Sequence, residues 1–284
     1  MSRLRNMPSW LFSPRLLDLA SHLYVRYFAA GITENRALEN RHASEARCFI
    51  IGNGPSLKDM DLKPLANEYT VGCNSFYKHP DADAVQLKYL CIGDPHFMID
   101  QPRAVEWHRL IESRMPKTVI LLHPQAKAWI ERYGLYRSHQ VHFFSQGGRA
   151  AEEARWANVD FSSPLNLGMT TGTLLAIPLA LYLGFRKIYL LGFDATWLDA
   201  PERSYHFYDK HEHFPEFDSI AADTRKLSYE FEVRSVVREM QSHRLLNELA
   251  ARRGAQIFNA GRVSRIDVYP RVHFEDCFGG PCGS

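Results

Sequence analysis

A short apolar run that ends in a turn of small residues, Cys48-Phe-Ile-Ile-Gly-Asn-Gly-Pro-Ser-Leu57, is the most informative segment of this 284-residue chain. Such a run is typical of a buried parallel strand, and ligands of parallel sheets bind beyond the carboxyl ends of the strands. Gly52 and Gly54 predict backbone dihedrals that side chains forbid. Ser56 predicts a cap for the following element. The pattern is therefore compatible with two interpretations, a ligand-binding loop and an ordinary glycine–proline turn after a strand.

Strand candidates alternate with helical stretches from residue 46 onward, which predicts an α/β fold. We expect a Rossmann-like three-layer sandwich, with a mostly parallel sheet and helices on both faces. The predicted strands are 46–52, 69–74, 88–94, 118–122, 141–145, 187–193 and 255–259. The predicted helices are 103–114, 125–133, 171–183 and 228–253.

The bulk composition excludes several classes of protein. A net charge of +2 makes no case for nucleic-acid binding. Five cysteines without a C-x-x-C pair are typical of a reduced cytoplasmic protein. No apolar run reaches the roughly 18 residues that a membrane span needs, and we recognise no signal peptide. We therefore expect a cytoplasmic location.

Residues 1–45 differ from the rest and are predicted to be an amphipathic N-terminal helix followed by a polar linker, ahead of a catalytic domain over 46–284. Ser13 and Pro14 predict the start of the helix, and Gly31 predicts its end. Its apolar face predicts packing on the core or on a second subunit. The basic and aromatic residues favour, as an alternative, peripheral contact with an anionic inner membrane.

Polar residues follow two neighbouring strands of the predicted sheet. Asn53 and Asn74 each offer an amide donor and a carbonyl acceptor, which suit a nucleobase edge, a ribose or a phosphate. Each also suits a turn residue with a left-handed backbone. Asp94 and His96 follow the third strand and are candidate substrate-binding residues, since Asp94 can accept from a sugar hydroxyl or hold a divalent cation.

The stretch 166–194 carries a second group of candidates. Thr170, Thr171 and Gly172 open an apolar helix, and hydroxyls with glycine at a helix start predict phosphate binding. The strand that follows this helix delivers Asp194 to the same edge of the sheet. The stretch therefore predicts a nucleotide-binding group, which an ordinary buried helix with a threonine cap does not explain fully.

Residues 195–226 lack periodicity and are predicted to form an active-site lid. His206 and His211 are candidate general bases, and Tyr205 and Tyr208 lie beside them. The histidine spacing also suggests zinc, but no cysteine lies nearby, so we predict no metal site. Farther along, Arg262 and Arg271 are candidate partners for phosphates or an acidic acceptor, or else solvated surface residues.

Four segments together resemble a known superfamily. They are Ile51-Gly-Asn-Gly-Pro-Ser-Leu57, Cys73-Asn-Ser-Phe-Tyr77, Thr171-Gly172 through Leu191-Gly-Phe-Asp194, and the segment around His206. They resemble the bacterial sialyltransferases of glycosyltransferase family 42. They also resemble the MptE-like DUF115 group, which includes the Maf flagellin-glycosylation factors and an archaeal 6-hydroxymethylpterin pyrophosphokinase.

The resemblance implies roles for individual residues. Asn53 and Asn74 match asparagines that contact the cytidine nucleotide, and Thr171-Gly172 matches a Ser-Gly pair near the donor's ribose or phosphate. It further implies that a lid histidine is the base, with His206 as the first candidate and His211 as the second. It also implies that lid tyrosines help the phosphate leave, and Tyr205 and Tyr208 are the candidates. Gly168 replaces the family's arginine, whose role then falls to Arg262 or Arg271 unless the donor differs.

The predicted function is a glycosyltransferase that moves an acidic, sialic-acid-like sugar from a CMP-activated donor to a surface glycan or protein acceptor, without a cofactor. One alternative is a pterin pyrophosphokinase, with magnesium held by Asp94 and Asp194 beside ATP. Another is a non-catalytic nucleotide-sugar-binding protein of a polysaccharide locus. Any homo-oligomer or contact with the inner membrane would use the N-terminal helix.

Overall fold

The computed structural model describes residues 31–93, 100–146, 151, 153–167, 172–199, 206–208 and 229–278. Seven strands form one sheet in this part of the chain. Their bounds are β1 (Cys48–Ile51), β2 (Thr70–Cys73), β3 (Tyr89–Cys91), β4 (Val119–Leu122), β5 (Val141–Phe143), β6 (Lys187–Leu191) and β7 (Gln256–Asn259). All seven lie inside the ranges that the sequence predicts, because fully buried strands appear in sequence as continuous apolar runs.

The sheet is parallel throughout, with the strand order β5-β4-β3-β2-β1-β6-β7. The chain builds outward from β1 to β5 and then returns to the other side of β1 with β6 and β7. Ile50 lies opposite Val71 of β2 on one side and Leu190 of β6 on the other. The strand order therefore reverses between β1 and β6, and doubly wound sheets bind ligands at such a switch point.

Five α-helices are described: α1 (Ala82–Val85), α2 (Pro102–Arg114), α3 (Lys127–Tyr133), α4 (Ala176–Tyr182) and α5 (Tyr229–Arg252). The last four correspond to the four helical stretches that the sequence predicts. The predicted helix over 171–183 begins differently, because Gly172–Leu175 is a 3-10 helix and only then does α4 follow. Other 3-10 helices include Pro55–Asp59 and Phe76–Lys78.

Alternate residues of each strand enter two separate apolar cores, which makes the fold a three-layer sandwich. Cys48 and Ile50 point into the core shared with α4 and α5. Phe49 and Ile51 point into the opposite core, shared with α2 and α3. The predicted α/β fold with a parallel sheet covered on both faces is confirmed.

The segment 31–45, most of which is predicted as a polar linker, packs against the sheet. Ile32–Leu38 is a 3-10 helix in which Ile32, Asn35 and Leu38 are fully buried. Asn35 donates to the carbonyl oxygens of Phe143 and Phe161 at 2.6 and 2.9 Å. These contacts cover the edge strand β5, which would otherwise expose unpaired backbone groups.

The predicted N-terminal helix falls mainly on residues 1–30, which lie outside the described residues. Its role at a membrane or at a second subunit stays a prediction. None of the described helices combines the length and the apolar character that a bilayer crossing requires.

Candidate functional site

The turn after β1 is pressed against the turn after β6, at the switch point of the sheet. The N–H of Gly52 donates to the carbonyl of Leu191 at 2.8 Å, and the N–H of Gly54 donates to that of Gly192 at 2.9 Å. Backbone therefore meets backbone where the two strands diverge, and the loop 52–57, here called the glycine loop, is held at the carboxyl edge of the sheet.

The glycine loop needs its glycines for space and not for unusual dihedrals, so our expectation from the sequence is wrong on this point. Gly54 has an ordinary extended backbone, with φ of −61°. A Cβ on Gly54 would lie 2.5 Å from Cγ of Asp194, and one on Gly52 would lie 2.6 Å from the Gly192 oxygen. Gly192 itself has the left-handed backbone, with φ of 66°.

Asp194 is joined to the glycine loop by two hydrogen bonds. Its carboxylate accepts from the N–H of Ser56 at 2.7 Å and from the Ser56 hydroxyl at 2.6 Å. Burial raises the pKa of Asp194 above its ordinary value, and the two hydrogen bonds from Ser56 act in the opposite direction. The prediction that Ser56 caps the following element is therefore wrong, because Ser56 lies within the 3-10 helix Pro55–Asp59. The side chain that accepts a hydrogen bond from the first turn of this helix is that of Asp194.

Asn53 lies between the ends of β1 and β2 with one polar atom unsatisfied. Its Nδ2 donates to the carbonyl of Cys73 at 3.0 Å, which fixes the orientation of the amide. Its Oδ1 is buried and accepts no hydrogen bond within the described part of the chain, and the residue is only 5% exposed. Buried polar atoms without a partner are rare and costly, so Oδ1 of Asn53 is available to accept a hydrogen bond from a bound water or a ligand.

Asn74 ends β2 with a left-handed backbone, at φ of 43°. Its N–H donates to the carbonyl of Cys91 at 3.0 Å, and its Oδ1 accepts from the N–H of Gly93 at 3.3 Å. Asn74 therefore shapes the ends of β2 and β3 together. This geometry agrees with a turn residue, and its role in nucleotide binding stays a prediction.

Gly172 lies close to the same strand ends. A Cβ on Gly93 would approach the Gly172 Cα to 2.9 Å, so the 3-10 helix that begins at Gly172 packs directly on the turn after β3. The thiol of Cys73 contacts the carbonyl oxygen of Thr173 at 3.7 Å. The other predicted residues of this edge, Thr170, Thr171, Asp94 and His96, lie outside the described residues.

Residues 206–208, from the predicted lid, lie against the glycine loop. The N–H of Phe207 donates to the carbonyl of Asn53 at 3.0 Å. The rings of His206 and Tyr208 are stacked, with their centroids 4.9 Å apart. The structure thus brings His206 and Tyr208 together with the Asn53 turn, whereas Tyr205 and His211 lie outside the described residues.

Arg262 and Arg271 lie on the segment after β7, and both are engaged with groups of the protein itself. Arg262 donates to the carbonyl of Asp59 at 2.7 Å and forms an ion pair with Glu275 at 3.4 Å. Arg271 donates to the carbonyl of Gly261 at 2.5 Å. Among the described residues, both guanidinium groups contact partners outside the Asn53 turn, so their role in donor binding stays a prediction. The described residues contain no cluster of three or more acidic, histidine or cysteine side chains that could hold a metal ion.

Lys78 and His79 contact the segment 206–208, although the sequence analysis does not include them among the candidate site residues. The Nζ of Lys78 lies 4.4 Å from the centre of the Tyr208 ring, and the ring of His79 lies 5.3 Å from that of Phe207. Their sequence position gives one indication, since both follow within five residues of Asn74 at a predicted strand end. This indication is weak, because no local sequence pattern shows that residue 207 packs there.

The described architecture is a doubly wound parallel α/β fold with polar side chains gathered at its switch point. Compared with known proteins, the chain matches no family model and no curated protein. It is similar to the solved structure of a Maf glycosyltransferase from Magnetospirillum magneticum AMB-1, with 14% identity and a TM-score of 0.48. That alignment covers 86% of this chain but only 38% of the other.

The chain is also similar to two structures of a sialyltransferase. One is CST-II in complex with a trisaccharide acceptor and CMP, with 15% identity, a TM-score of 0.45 and coverage of 80% of this chain and 85% of the other. The second is CstII from Campylobacter jejuni in complex with the substrate analogue CMP-3FNeuAc. It has 18% identity, a TM-score of 0.32 and coverage of 64% and 78%.

Proposed function

We propose that this chain is a glycosyltransferase that moves an acidic, sialic-acid-like sugar from a CMP-activated donor to a surface glycan or protein acceptor. The observation that carries the proposal is the buried, unsatisfied Oδ1 of Asn53 at the switch point, with His206 in the adjoining segment. Sequence resemblance supports the choice of a CMP-activated donor.

The chemistry of Asn53 favours a nucleoside as the ligand. Because one hydrogen of Nδ2 is donated to Cys73, the side chain can offer a ligand its Oδ1 acceptor and the second Nδ2 hydrogen. A cytosine amino group or a ribose hydroxyl supplies the matching donor. A ligand that satisfies Oδ1 recovers a desolvation cost of about 1–3 kcal/mol that the free protein carries.

His206 is the proposed general base. A neutral imidazole can take the proton of an acceptor hydroxyl as this oxygen attacks the anomeric carbon of the donor. The bond from that carbon to the CMP phosphate breaks as the new glycosidic bond forms, with inversion. His211 is the second candidate for the base.

The departing CMP carries the negative charge of the leaving group, and donors aimed at it would stabilise the transition state. Tyr208 is a candidate for this role because it stacks on His206. Tyr205, Thr170 and Thr171 are further candidates from the sequence. We propose no metal ion in this step, and Arg262 or Arg271 would supply positive charge only by leaving its present loop partners.

The experiment is a thermal-shift series on the full chain with CMP, CDP, UDP and ATP, each with and without magnesium. A true ligand raises the melting temperature progressively with its concentration, following RT ln(1 + [L]/Kd). We expect CMP to stabilise the protein without magnesium. Stabilisation by ATP with magnesium alone would overturn the proposal and favour the pyrophosphokinase alternative.

A transfer assay with a CMP-activated acidic sugar then tests the base. His206→Ala should lower kcat by at least the 10²-fold that general base catalysis typically supplies, while CMP still stabilises the variant. His273→Ala, at an exposed histidine in the loop before Glu275–Cys277, is the matched control. If His206→Ala and His211→Ala both retain transfer, the assignment of the base is wrong.

A further inference from the structure

His79 is a buried histidine that cannot itself act as a catalytic base. It is 1% exposed, and both ring nitrogens are engaged. Nε2 lies 3.1 Å from the carbonyl oxygen of Leu57, and Nδ1 accepts from the N–H of Asp81 at 3.1 Å. Because a carbonyl can only accept, Nε2 must carry the proton, which leaves Nδ1 as the acceptor in a neutral ring.

The same ring is one wall of the place where Phe207 packs. The two ring centroids are 5.3 Å apart at an angle of 68°, the edge-to-face arrangement that aromatic pairs favour. Phe207 is half-buried against the core that also contains Leu57. Its N–H is bonded to the carbonyl of Asn53, so Phe207 is held by both its backbone and its side chain.

The neighbour of Phe207 on its carboxyl side is held as well. The ammonium of Lys78 lies 4.4 Å from the centre of the Tyr208 ring, within the range of a cation–π interaction. Tyr208 in turn stacks on His206. Two consecutive residues, Lys78 and His79, therefore contact the two residues that follow His206.

We propose that His79 and Phe207 are positioning residues, which hold His206 at a constant distance from the Asn53 turn. The inference rests on the proposed function, in which His206 is the base. Consecutive Cα atoms are about 3.8 Å apart, so fixing Phe207 confines the backbone of His206. The side chain of His79 contacts both Phe207 and the carbonyl of Leu57, so it links residues 206–208 to the glycine loop.

The test compares Phe207→Ala and Phe207→Tyr with the full-length wild type in the transfer assay. We expect Phe207→Ala to lower kcat on the order of 10- to 100-fold, the scale for misplacing a reacting group by about 1 Å. CMP should stabilise this variant as it does the wild type, and Phe207→Tyr, which keeps the ring, should restore kcat. Trp156→Ala, at an aromatic residue that is 66% exposed, is the control and should behave as the wild type.

A second readout does not depend on activity. Hydrogen exchange at the amide of residue 207 should be faster in Phe207→Ala than in the wild type, with no change in β6. In a cycle with His79→Ala, the double variant should lose no more kcat than the worse single variant, because both act on one contact. If His79→Ala does not fold, the exchange measurement on Phe207→Ala decides.

Wild-type kcat and wild-type exchange in Phe207→Ala would overturn the positioning role while leaving the proposed transferase intact. The opposite result separates the two ideas as well. If the wild type transfers sugar from no CMP donor, the proposed function is refuted. If the amide of residue 207 nevertheless exchanges faster in Phe207→Ala than in the wild type, the contact between Phe207 and His79 is retained.

Discussion

The carboxylate of Asp194 accepts two hydrogen bonds from Ser56, one from its backbone N–H at 2.7 Å and one from its hydroxyl at 2.6 Å. This pair joins the turn after β6 to the glycine loop after β1, across the switch point of the sheet. Asp194 is 4% exposed, so the two bonds are made away from most solvent. The geometry of the candidate site therefore depends on a carboxylate whose direct role is to hold the loop.

Replacing Asp194 by alanine should destabilise the protein. The change leaves the N–H and the hydroxyl of Ser56 without their acceptor, and an unsatisfied buried donor costs about 1–3 kcal/mol. Urea unfolding measures this as a lower midpoint at an unchanged m-value. Asp267→Ala, at an exposed aspartate after β7, is the control. Equal midpoints for the two variants would contradict the role of Asp194.

Replacing Gly54 by alanine tests whether space or dihedral angle explains this glycine. The added Cβ would meet Cγ of Asp194 and the Gly192 oxygen, so we expect a loss of about 1–3 kcal/mol by urea unfolding, as for overpacking. Gly254→Ala is the comparison, because Gly254 has φ of 66° but only one atom, 3.7 Å away, near the new Cβ. There the left-handed backbone alone should cost about 1–2 kcal/mol. A loss at Gly254 but none at Gly54 would contradict the close-approach explanation.

Two asparagines should respond differently to alanine. Asn259 is fully buried, donates to Ser264 and Ile266 and accepts from Gly261. Asn259→Ala should therefore lose about 2 kcal/mol or more of stability, since several hydrogen bonds are removed at about 1 kcal/mol each. Asn53→Ala should cost less, because one of its polar atoms has no partner, yet it should abolish most of the stabilisation by CMP.

The measurement is thermal unfolding of both variants with and without CMP. Full CMP stabilisation of Asn53→Ala would show that Oδ1 of Asn53 does not contact the nucleotide. In that case the unsatisfied atom would need another partner, such as a bound water.

The folding stability of the protein should be sensitive to acid through His142 of β5, which the segment 32–38 contacts. Oδ1 of Asn35 lies 2.7 Å from Nδ1 of His142, and burial lowers the pKa of His142 below its ordinary value. The unfolded chain then binds a proton more readily than the folded one, so stability is present above about pH 6.5 and falls as the pH drops toward the lowered pKa.

His142→Gln should flatten this part of the stability–pH curve, measured by urea unfolding between about pH 7 and 5. His273→Gln, at an exposed histidine, is the matched control. If the two variants and the wild type lose stability in parallel on acidification, His142 does not contribute to the acid sensitivity.

The fold could be predicted from the sequence because its elements are marked locally. Buried parallel strands such as Cys48–Ile51 are continuous apolar runs, and the helix Pro102–Arg114 begins with a proline. The segment 32–45 is predicted as a polar linker, because its polar composition does not reveal that Ile32, Asn35 and Leu38 are buried. One of these, Asn35, is buried with its hydrogen bonds satisfied by distant residues.

The candidate site could be predicted only in part. Asn53, Asn74 and Asp194 stand out because polar residues directly follow apolar strands, and parallel strands bring their carboxyl ends to one edge. The bond between Ser56 and Asp194 joins residues 138 positions apart, and no local pattern indicates it. The same holds for the contact between Phe207 and His79.

The class of fold and the strand ends at which polar groups lie follow from the amino-acid sequence, because apolar periodicity and turn residues act over a few neighbouring positions. The placement of β6 beside β1 is a property of the three-dimensional structure, since pairing between parallel strands depends on long crossovers and on the packing of both cores. That neighbourhood makes Gly52 and Gly54 necessary for close approach. It also places Asp194 where its carboxylate accepts hydrogen bonds from Ser56, and Oδ1 of Asn53 lies there without a hydrogen-bond partner among the described residues.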